Sequence, residues 1–421
     1  MSHPKDRYSQ IDRREFLLKA AVAGVAVPSL AAILAACASD SSSAPAGGVP
    51  TLQLARPDNP VTLPLTDDNP AIADGLTAEA GPLKIFGYAD YVWKKVRNQF
   101  TDRFGVDVEY TVFDTSDEMV SKLQSSGSDF DLLVTITVDN VGKLATGGLI
   151  QPLNHSYIPN VEENIWPEAW DFYDVGRQYT APYTMYSTGI AWRNDLVSDD
   201  IGDMDNPWDI LWDTRFKDQT HILNGSRDVM AAGLLRNGYD PNESDPAILE
   251  TVKQDMLAGA EAMAWKFDHV DYTELAANQW QIHNAWSGQI AYYQYYLPKG
   301  LDIDAISYIW PPRGPGGQKG LIGTDLFAIP KGAANPVLAH EFINMLWEPE
   351  TALLNYTYEG FQPPLKTFDA DLAVSDGYLP ESLAYTIVTP EDIPLGVAEL
   401  ELEPAVNQLY QQIALEITGG A

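Results

Sequence analysis

Between residues 83 and 134, short apolar runs and helical spacing alternate in a way that leaves few folds open. Leu83-Lys84-Ile85-Phe86-Gly87 enters from Gly81-Pro82 and reads as a buried strand. Val92, Val96, Phe100 and Phe104 then recur every four residues until Gly105 stops them, which predicts an amphipathic helix. Val106, Val108, Tyr110 and Val112 alternate as a strand. Thr115 and Glu118 have capping-box spacing ahead of Met119, Val120 and Leu123. Phe130-Asp131-Leu132-Leu133-Val134 reads as a buried parallel strand, and Val141 and Leu144 make one more helical turn. This β-α-β-α-β order predicts a doubly wound α/β sheet, in which ligands bind beyond the carboxyl ends of the strands. There the first strand offers Tyr88-Ala89-Asp90-Tyr91, two rings beside a carboxylate, a set that suits an organic cation. Local packing of an ordinary strand-to-helix loop is the plainer role for the same residues.

Composition narrows the function classes. The 421 residues fit two domains of ordinary size. A net charge of −33 makes nucleic acid a poor partner, because phosphate contacts need a basic surface. With Cys37 as the single cysteine, an internal disulfide and a cysteine-based metal site are ruled out. The six histidines show no pair at metal-ligand spacing, and Ser226 lies in Asn-Gly-Ser-Arg rather than in a nucleophile elbow. The glycines at 314, 316 and 317 include Pro315 and lack the Lys-Ser/Thr of a phosphate loop. Neither a metal nor a cofactor is expected.

The first residues read as an address. Arg13-Arg14-Glu15-Phe16-Leu17-Leu18-Lys19 precedes an alanine-rich apolar run over 20–36 and resembles a twin-arginine export signal. Leu34-Ala35-Ala36-Cys37 resembles a lipoprotein signal-peptidase box, which implies that 1–36 is removed and Cys37 carries a lipid. A single transmembrane anchor is the alternative, although the run is barely long enough to span. Residues 37–80, rich in Ser, Gly, Pro, Asp and Asn, are expected to form a flexible tether, with Leu63 and Leu65 as candidates for docking.

The body of the chain carries an ordered series of further motifs. They are Asp129-Phe130-Asp131-Leu132-Leu133-Val134, Gly148-Leu149-Ile150-Gln151-Pro152-Leu153, Tyr179-Thr180-Ala181-Pro182-Tyr183 and Thr188-Gly189-Ile190-Ala191-Trp192. After these come Arg227-Asp228-Val229, Asp325-Leu326-Phe327-Ala328-Ile329-Pro330-Lys331-Gly332-Ala333 and His340-Glu341-Phe342-Ile343-Asn344. In this order they resemble the polyamine-binding (spermidine/putrescine) group of bacterial extracellular solute-binding proteins of ABC importers. The resemblance implies a two-lobe periplasmic-binding-protein-like fold with hinge-connected doubly wound domains. Lobe 1 would comprise 83–186 plus 323–368, and lobe 2 would comprise 187–322 plus 369–421, with crossings near 186–188 and 318–323. It also implies a monomer that is not an enzyme, held on the extracytoplasmic side of a membrane through lipidated Cys37. Such a receptor delivers a polyamine-like organic cation to permease and ATPase subunits.

The same resemblance suggests the site. Rings flank the methylene chain of a polyamine, and carboxylates meet its ammonium groups. The matching positions are Tyr88, Asp90, Tyr91, Asp228, Trp286, Asp325 and Phe361. Gly225 and Gly323 stand where the family has an acid and a Trp, and Ile136 and Val138 where it has hydroxyl-bearing residues. Each candidate also has a plainer role: Asp90 as a helix cap, Asp228 as a helix N-terminal acid, Trp286 as core and Asp325 as a surface acid at a strand end. A different small solute, amino-acid-derived or sugar-like, therefore stays open. A secreted enzyme on the same scaffold and a purely structural lipoprotein are the remaining classes.

Overall fold

The computed structural model describes residues 53–126, 129–268, 275, 280–310 and 320–419. The expected signal peptide, Cys37 and the first part of the tether lie outside these residues, as does the loop expected over 311–317.

Strands β1 (Leu83–Gly87), β2 (Val108–Val112), β3 (Leu132–Thr137), β4 (Ile150–Gln151) and β5 (Thr180–Arg193) form in the first half. Between them lie α1 (Lys94–Phe104), α2 (Ser116–Ser126), α3 (Val138–Thr146) and α4 (Pro159–Asn164). The second half adds β6 (Thr220–Leu223), α5 (Ser226–Arg236), α6 (Pro246–Met263), β7 (Lys266–Asp268), β8 (Ile282–Trp286), α7 (Ser287–Tyr293) and β9 (Ile306–Ile309). The chain then returns through β10 (Leu321–Pro330) to α8 (Pro336–Leu346), α9 (Pro349–Glu359), α10 (Ala370–Ser375) and α11 (Pro404–Thr418). The α1 stop is as the sequence predicts: Gly105 caps the helix at φ 71°, a left-handed conformation that costs glycine nothing. The expected capping box is spread by one residue. Thr115 Oγ1 accepts from Glu118 N, while Glu118 Oε2 reaches the amide of Asp114 rather than that of Thr115.

The strand order is β2-β1-β3-β10-β5-β8-β6-β7. Parallel pairs occupy both ends: β1 with β2 and β3, and β6 with β7 and β8. The antiparallel strands β10 and β5 lie in the middle. The doubly wound α/β expectation holds. The hydrogen-bonded path is continuous, because β5 is long enough to serve both halves. It pairs with β10 from Thr180 to Thr188 and with β8 from Thr188 to Trp192. The exchange of partners falls at Thr188.

Side-chain alternation builds a core on each face. Leu83, Ile85, Leu132, Val134, Phe327 and Ile329 meet Val96, Phe100 and Phe342 on one side. Phe86, Leu133, Ile136, Leu326 and Ala328 meet Met119, Leu123, Val141 and Leu144 on the other. A third core joins Ile190, Trp192 and Ile222 to α5, α6 and Tyr410 of α11.

One expectation is corrected. Residues 53–80 are not a free tether. Ala55, Val61 and Leu63 are buried with Phe172 and Tyr179, whereas Leu65 is exposed. Val61 exchanges backbone hydrogen bonds with Phe172 and Val175, and Tyr179 Oη donates to Pro64 O. Farther along, the Glu79 carboxylate accepts from Val337 N and Leu338 N at the start of α8. Proline and polar content marks a chain without its own secondary structure. It does not prevent that chain from finding partners on a neighbouring surface.

Candidate functional site

The carboxyl ends of the parallel strands β1, β3, β6 and β8 deliver residues to one cavity of about 130 Å³. Tyr88 and Tyr91 follow β1, and Thr137 to Asn140 end β3 and open α3. Gly225 to Asp228 follow β6, and Trp286 ends β8. The central strands contribute Tyr186 and Thr188 from β5 and Leu321 to Asp325 from β10.

Asp325 is aimed by two irregularities. Its neighbour Leu326 pairs with Pro182 and Ile136, so Tyr183 is skipped on one side and Thr135 falls at the register shift on the other. Thr135 takes a φ of 78°, unusual for a β-branched residue, and is fully buried. Bulges beside a site re-aim a side chain. Here the Asp325 carboxylate, 3% exposed, accepts from Tyr91 Oη and from Thr184 Oγ1 (3.2 Å). Burial pushes it up to about 6, against the pull of hydroxyls from Tyr91, Thr184 and Tyr186.

Five rings stand around it. Tyr91 and Phe361 are 5.0 Å apart between centroids, Tyr186 and Phe361 5.5 Å, Tyr88 and Tyr91 6.2 Å, Tyr186 and Trp286 6.3 Å, and Trp286 and Phe361 6.5 Å. Two glycines permit this. A Cβ on Gly288 would come within 2.4 Å of the Phe361 ring, and one on Gly323 within 2.3 Å of the Tyr186 ring. The ring missing at 323 is thus replaced from the neighbouring strand.

The opposite wall is acidic. Asp228, in the first turn of α5, takes no hydrogen bond from another side chain among the described residues. Burial raises it well above the usual carboxylate range, and Glu399 beside it raises it further. Glu399 is pushed up to about 7 by burial, with repulsion from Asp139 outweighed in order by attraction to Arg227. Its Oε1 has no hydrogen-bond partner among the described residues. Asp139 is better met, by Thr137 Oγ1 (2.6 Å) and Asn140 Nδ2 (3.0 Å). The bases on this wall are Lys143 and Arg227. Arg227 is already engaged: its Nη1 donates to Leu400 O and its Nη2 to Asn242 Oδ1, and the guanidinium lies over Tyr410.

Six of the seven expected residues line this cavity: Tyr88, Tyr91, Asp228, Trp286, Asp325 and Phe361. Asp90 does not. It adopts φ 58°, is exposed, and accepts from Tyr358 Oη at 2.8 Å. Nor does it cap α1, whose N-cap is Trp93. That left-handed turn sets residues 88 and 91 inward and 90 outward. Of the two positions marked as departures at the end of β3 and just beyond it, Val138 lines the cavity and Ile136 is fully buried in core. Asp139 and Glu399 are not among the residues that the sequence singles out, and Tyr186 reads there as packing beside the hinge more readily than as a ligand contact. The strand-end rule applied to β3 would have found Asp139. Glu399, in Glu399-Leu400-Glu401-Leu402-Glu403, looks like a solvated acidic stretch and gave no signal.

The profile of a family described as "bacterial extracellular solute-binding protein" matches residues 95–378. The spermidine/putrescine-binding periplasmic protein 1 of Haemophilus influenzae is 25% identical over 272 residues, 64% of this chain and 71% of that protein. The putrescine-binding periplasmic protein PotF of Escherichia coli is 26% identical over 288 residues, 65% of this chain and 75% of its own. Among solved structures, a putative spermidine/putrescine ABC transporter from Listeria monocytogenes superposes with a TM-score of 0.67 at 25% identity. That superposition covers 80% of this chain and 99% of the other.

Proposed function

Because the chain belongs to the bacterial extracellular solute-binding proteins, we propose that it is the receptor of an ABC importer for a polyamine of the putrescine/spermidine class. The carrying observation is the make-up of the cavity. Asp117, Asp139, Asp228, Asp325 and Glu399 face it together with five aromatic rings, against Lys143 and an Arg227 that is already engaged. An ammonium entering must shed water, and only carboxylates and ring faces compensate that loss. The rings suit the methylene segments between the charges. A binding role, rather than catalysis, is the reading these contacts support.

Capture between two lobes is part of the proposal. Across the mouth, Gln411 of α11 donates to Asp117 of α2 at 3.2 Å, a contact that fits closure of one half upon the other. Lipid anchoring through Cys37 completes it. Labelled palmitate should enter the wild-type protein and not Cys37→Ala.

Titration calorimetry with putrescine, spermidine and spermine tests the ligand class. Micromolar or tighter binding of at least one supports it. No heat and no thermal shift with any of the three overturns the polyamine assignment and leaves the receptor class standing. A second reading, an amino-acid-derived solute, is favoured by Lys143, which lines the same cavity and whose ammonium can meet a carboxylate. Lys143→Ala separates the two: it weakens a zwitterion and leaves a polyamine unchanged or tighter.

A further inference from the structure

Behind the ring wall, outside the ligand cavity, lies a buried acid that the binding reading does not use. Glu359 ends α9 and is 4% exposed. It borders a separate void of about 10 Å³ lined also by Tyr183, Trp347 and Asn355, with room for about one water. Tyr183 is the residue skipped at the β5 bulge, opposite the Asp325–Leu326 step.

The hydrogen bonds around Tyr183 Oη fix where the protons are. Tyr91 O is a carbonyl and can only accept, and Tyr183 Oη meets it. Asn355 Nδ2 can only donate, and it points to Tyr183 Oη at 2.7 Å, with a longer contact to Tyr91 O at 3.4 Å. Asn355 Oδ1 in turn accepts from Trp93 N at 2.8 Å, which fixes the orientation of this amide. A phenol has one proton to give. With that proton on Tyr91 O, the 3.0 Å contact between Tyr183 Oη and Glu359 Oε2 is a hydrogen bond only if the carboxyl group supplies the proton.

We propose that Glu359 is a positioning residue that acts as a neutral carboxylic acid. It donates to Tyr183 Oη and so holds the 91–93 segment, and with it the Tyr91 hydroxyl that orients the Asp325 carboxylate. The surroundings agree. The groups facing Glu359 are Tyr183 from β5, Asn355 from its own helix, Tyr91 from the β1–α1 loop and, at longer range, Asp325 from β10; no Lys, Arg or His is among them. Burial pushes Glu359 well above the usual carboxylate range, against the pull of hydrogen bonds from Tyr183 and Asn355, and the Asp325 charge adds to the rise. When the acid ionises, the donor is lost and a charge is stranded beneath the loop, so ligand affinity falls on the alkaline side.

This inference deepens the polyamine reading and rests on it only for the affinity measurements. Two variants test it. The amide of Glu359→Gln still donates to Tyr183 Oη but cannot titrate, whereas Glu359→Ala cannot donate. Glu359→Gln is expected to bind spermidine within about twofold of wild type at pH 7 and to lose the extra alkaline fall. Amine deprotonation of the ligand is common to both proteins and cancels in their ratio. Glu359→Ala should lose about tenfold or more. Without any ligand, infrared difference spectra between wild type and Glu359→Gln at pH 7 should show the carbonyl stretch of a protonated acid. The near-ultraviolet circular dichroism of the rings should change in Glu359→Ala and not in Glu359→Gln. A Gln variant as weak as the Ala variant, or the missing infrared band, overturns the neutral acid. Unchanged dichroism in both variants overturns the positioning role. A wild-type protein that ignores polyamines yet shows the band and the dichroism change sinks the ligand assignment and leaves Glu359 in its place.

Discussion

Asp174 and the cavity acids are both withdrawn from water, yet they are treated in opposite ways. Around Asp174 the protein supplies every partner: Gln178 N, Tyr179 N, Thr180 N and Thr180 Oγ1 donate to the two oxygens at 2.8–3.0 Å. Burial still lifts this carboxyl, but the four donors pull it back. Across the cavity, Asp228 and Glu399 sit beside each other with no such set of donors among the described residues, where Glu399 Oε1 finds no partner. A satisfied buried acid ties a turn to a strand. An unsatisfied pair carries a desolvation cost that is relieved either by taking up a proton or by an incoming cation.

The contrast breaks most readily at Asp174. Asp174→Ala strands three backbone N–H groups and a hydroxyl. At 1–3 kcal/mol for each buried unsatisfied group, stability should fall by about 3 kcal/mol or more. Polyamine affinity of the molecules that stay folded should not change. Urea unfolding and calorimetry on the same samples measure both, and a loss of affinity without loss of stability would reverse the assignment of roles.

Next in size is Asp325→Asn. The amide oxygen still accepts from Tyr91 and Thr184, so the fold is spared while the charge goes. A charge-assisted contact is worth about 1.5–3 kcal/mol, so spermidine affinity should drop roughly 10- to 150-fold. Glu399→Gln should cost less, about three- to tenfold, because Asp228 and Asp139 remain on that wall. The ligand-free protein should melt higher in this variant, since one buried charge is removed. A lower melting temperature would place Glu399 with Asp174, as a structural acid.

pH supplies a graded version of the same test. Asp325 is lifted to about 6 and Glu399 to about 7. A neutral acid no longer attracts an ammonium, so affinity should fall as pH drops from 8 through 7 and 6, with protons released on binding inside that window. The effect on the ligand-free fold has the opposite sign. Both groups titrate higher when folded than when unfolded, so the folded state holds more protons between about pH 4 and 7. The stability they contribute is full below about pH 4 and is lost as pH rises through 6 and 7. Calorimetry in buffers of different ionisation heat detects the released protons, and an affinity that is flat from pH 8 to 5 contradicts the account. The smallest effect belongs to Asp90→Asn. This residue is exposed and turned toward Tyr358, so affinity should stay within about twofold.

The ring wall was legible and the acid wall largely was not. Tyr88, Tyr91 and Asp325 lie at or beside strands whose apolar pattern is unmistakable, and a family resemblance carries them with Trp286 and Phe361. Tyr186 was visible as a residue flanking a crossing, where packing is the more ordinary role than ligand contact. Its ring became part of the site because Gly323 on the paired strand leaves room for it, a fact of register. Glu399 arrives through the bridge between Leu321 and Val397, which joins segments 76 positions apart, so no local spacing reports it. Asp90 failed for a local reason. One left-handed residue reverses which side of a loop faces in, and spacing along the chain does not reveal the sign of φ.

By itself the sequence determined the alternation of strands and helices, the two-faced core that follows from period-two burial, and the strand ends where a ligand would sit. Those properties depend on neighbours a few residues away, and propensity and patterning act at that range. The tertiary structure decided which carboxylates are satisfied and which are left waiting, where the bulges turn Asp325, and that residues 53–80 lie along the body. Each of these depends on the distance between groups far apart in the chain. The free energy of a buried charge is set by which groups surround it in space, whatever their order along the backbone.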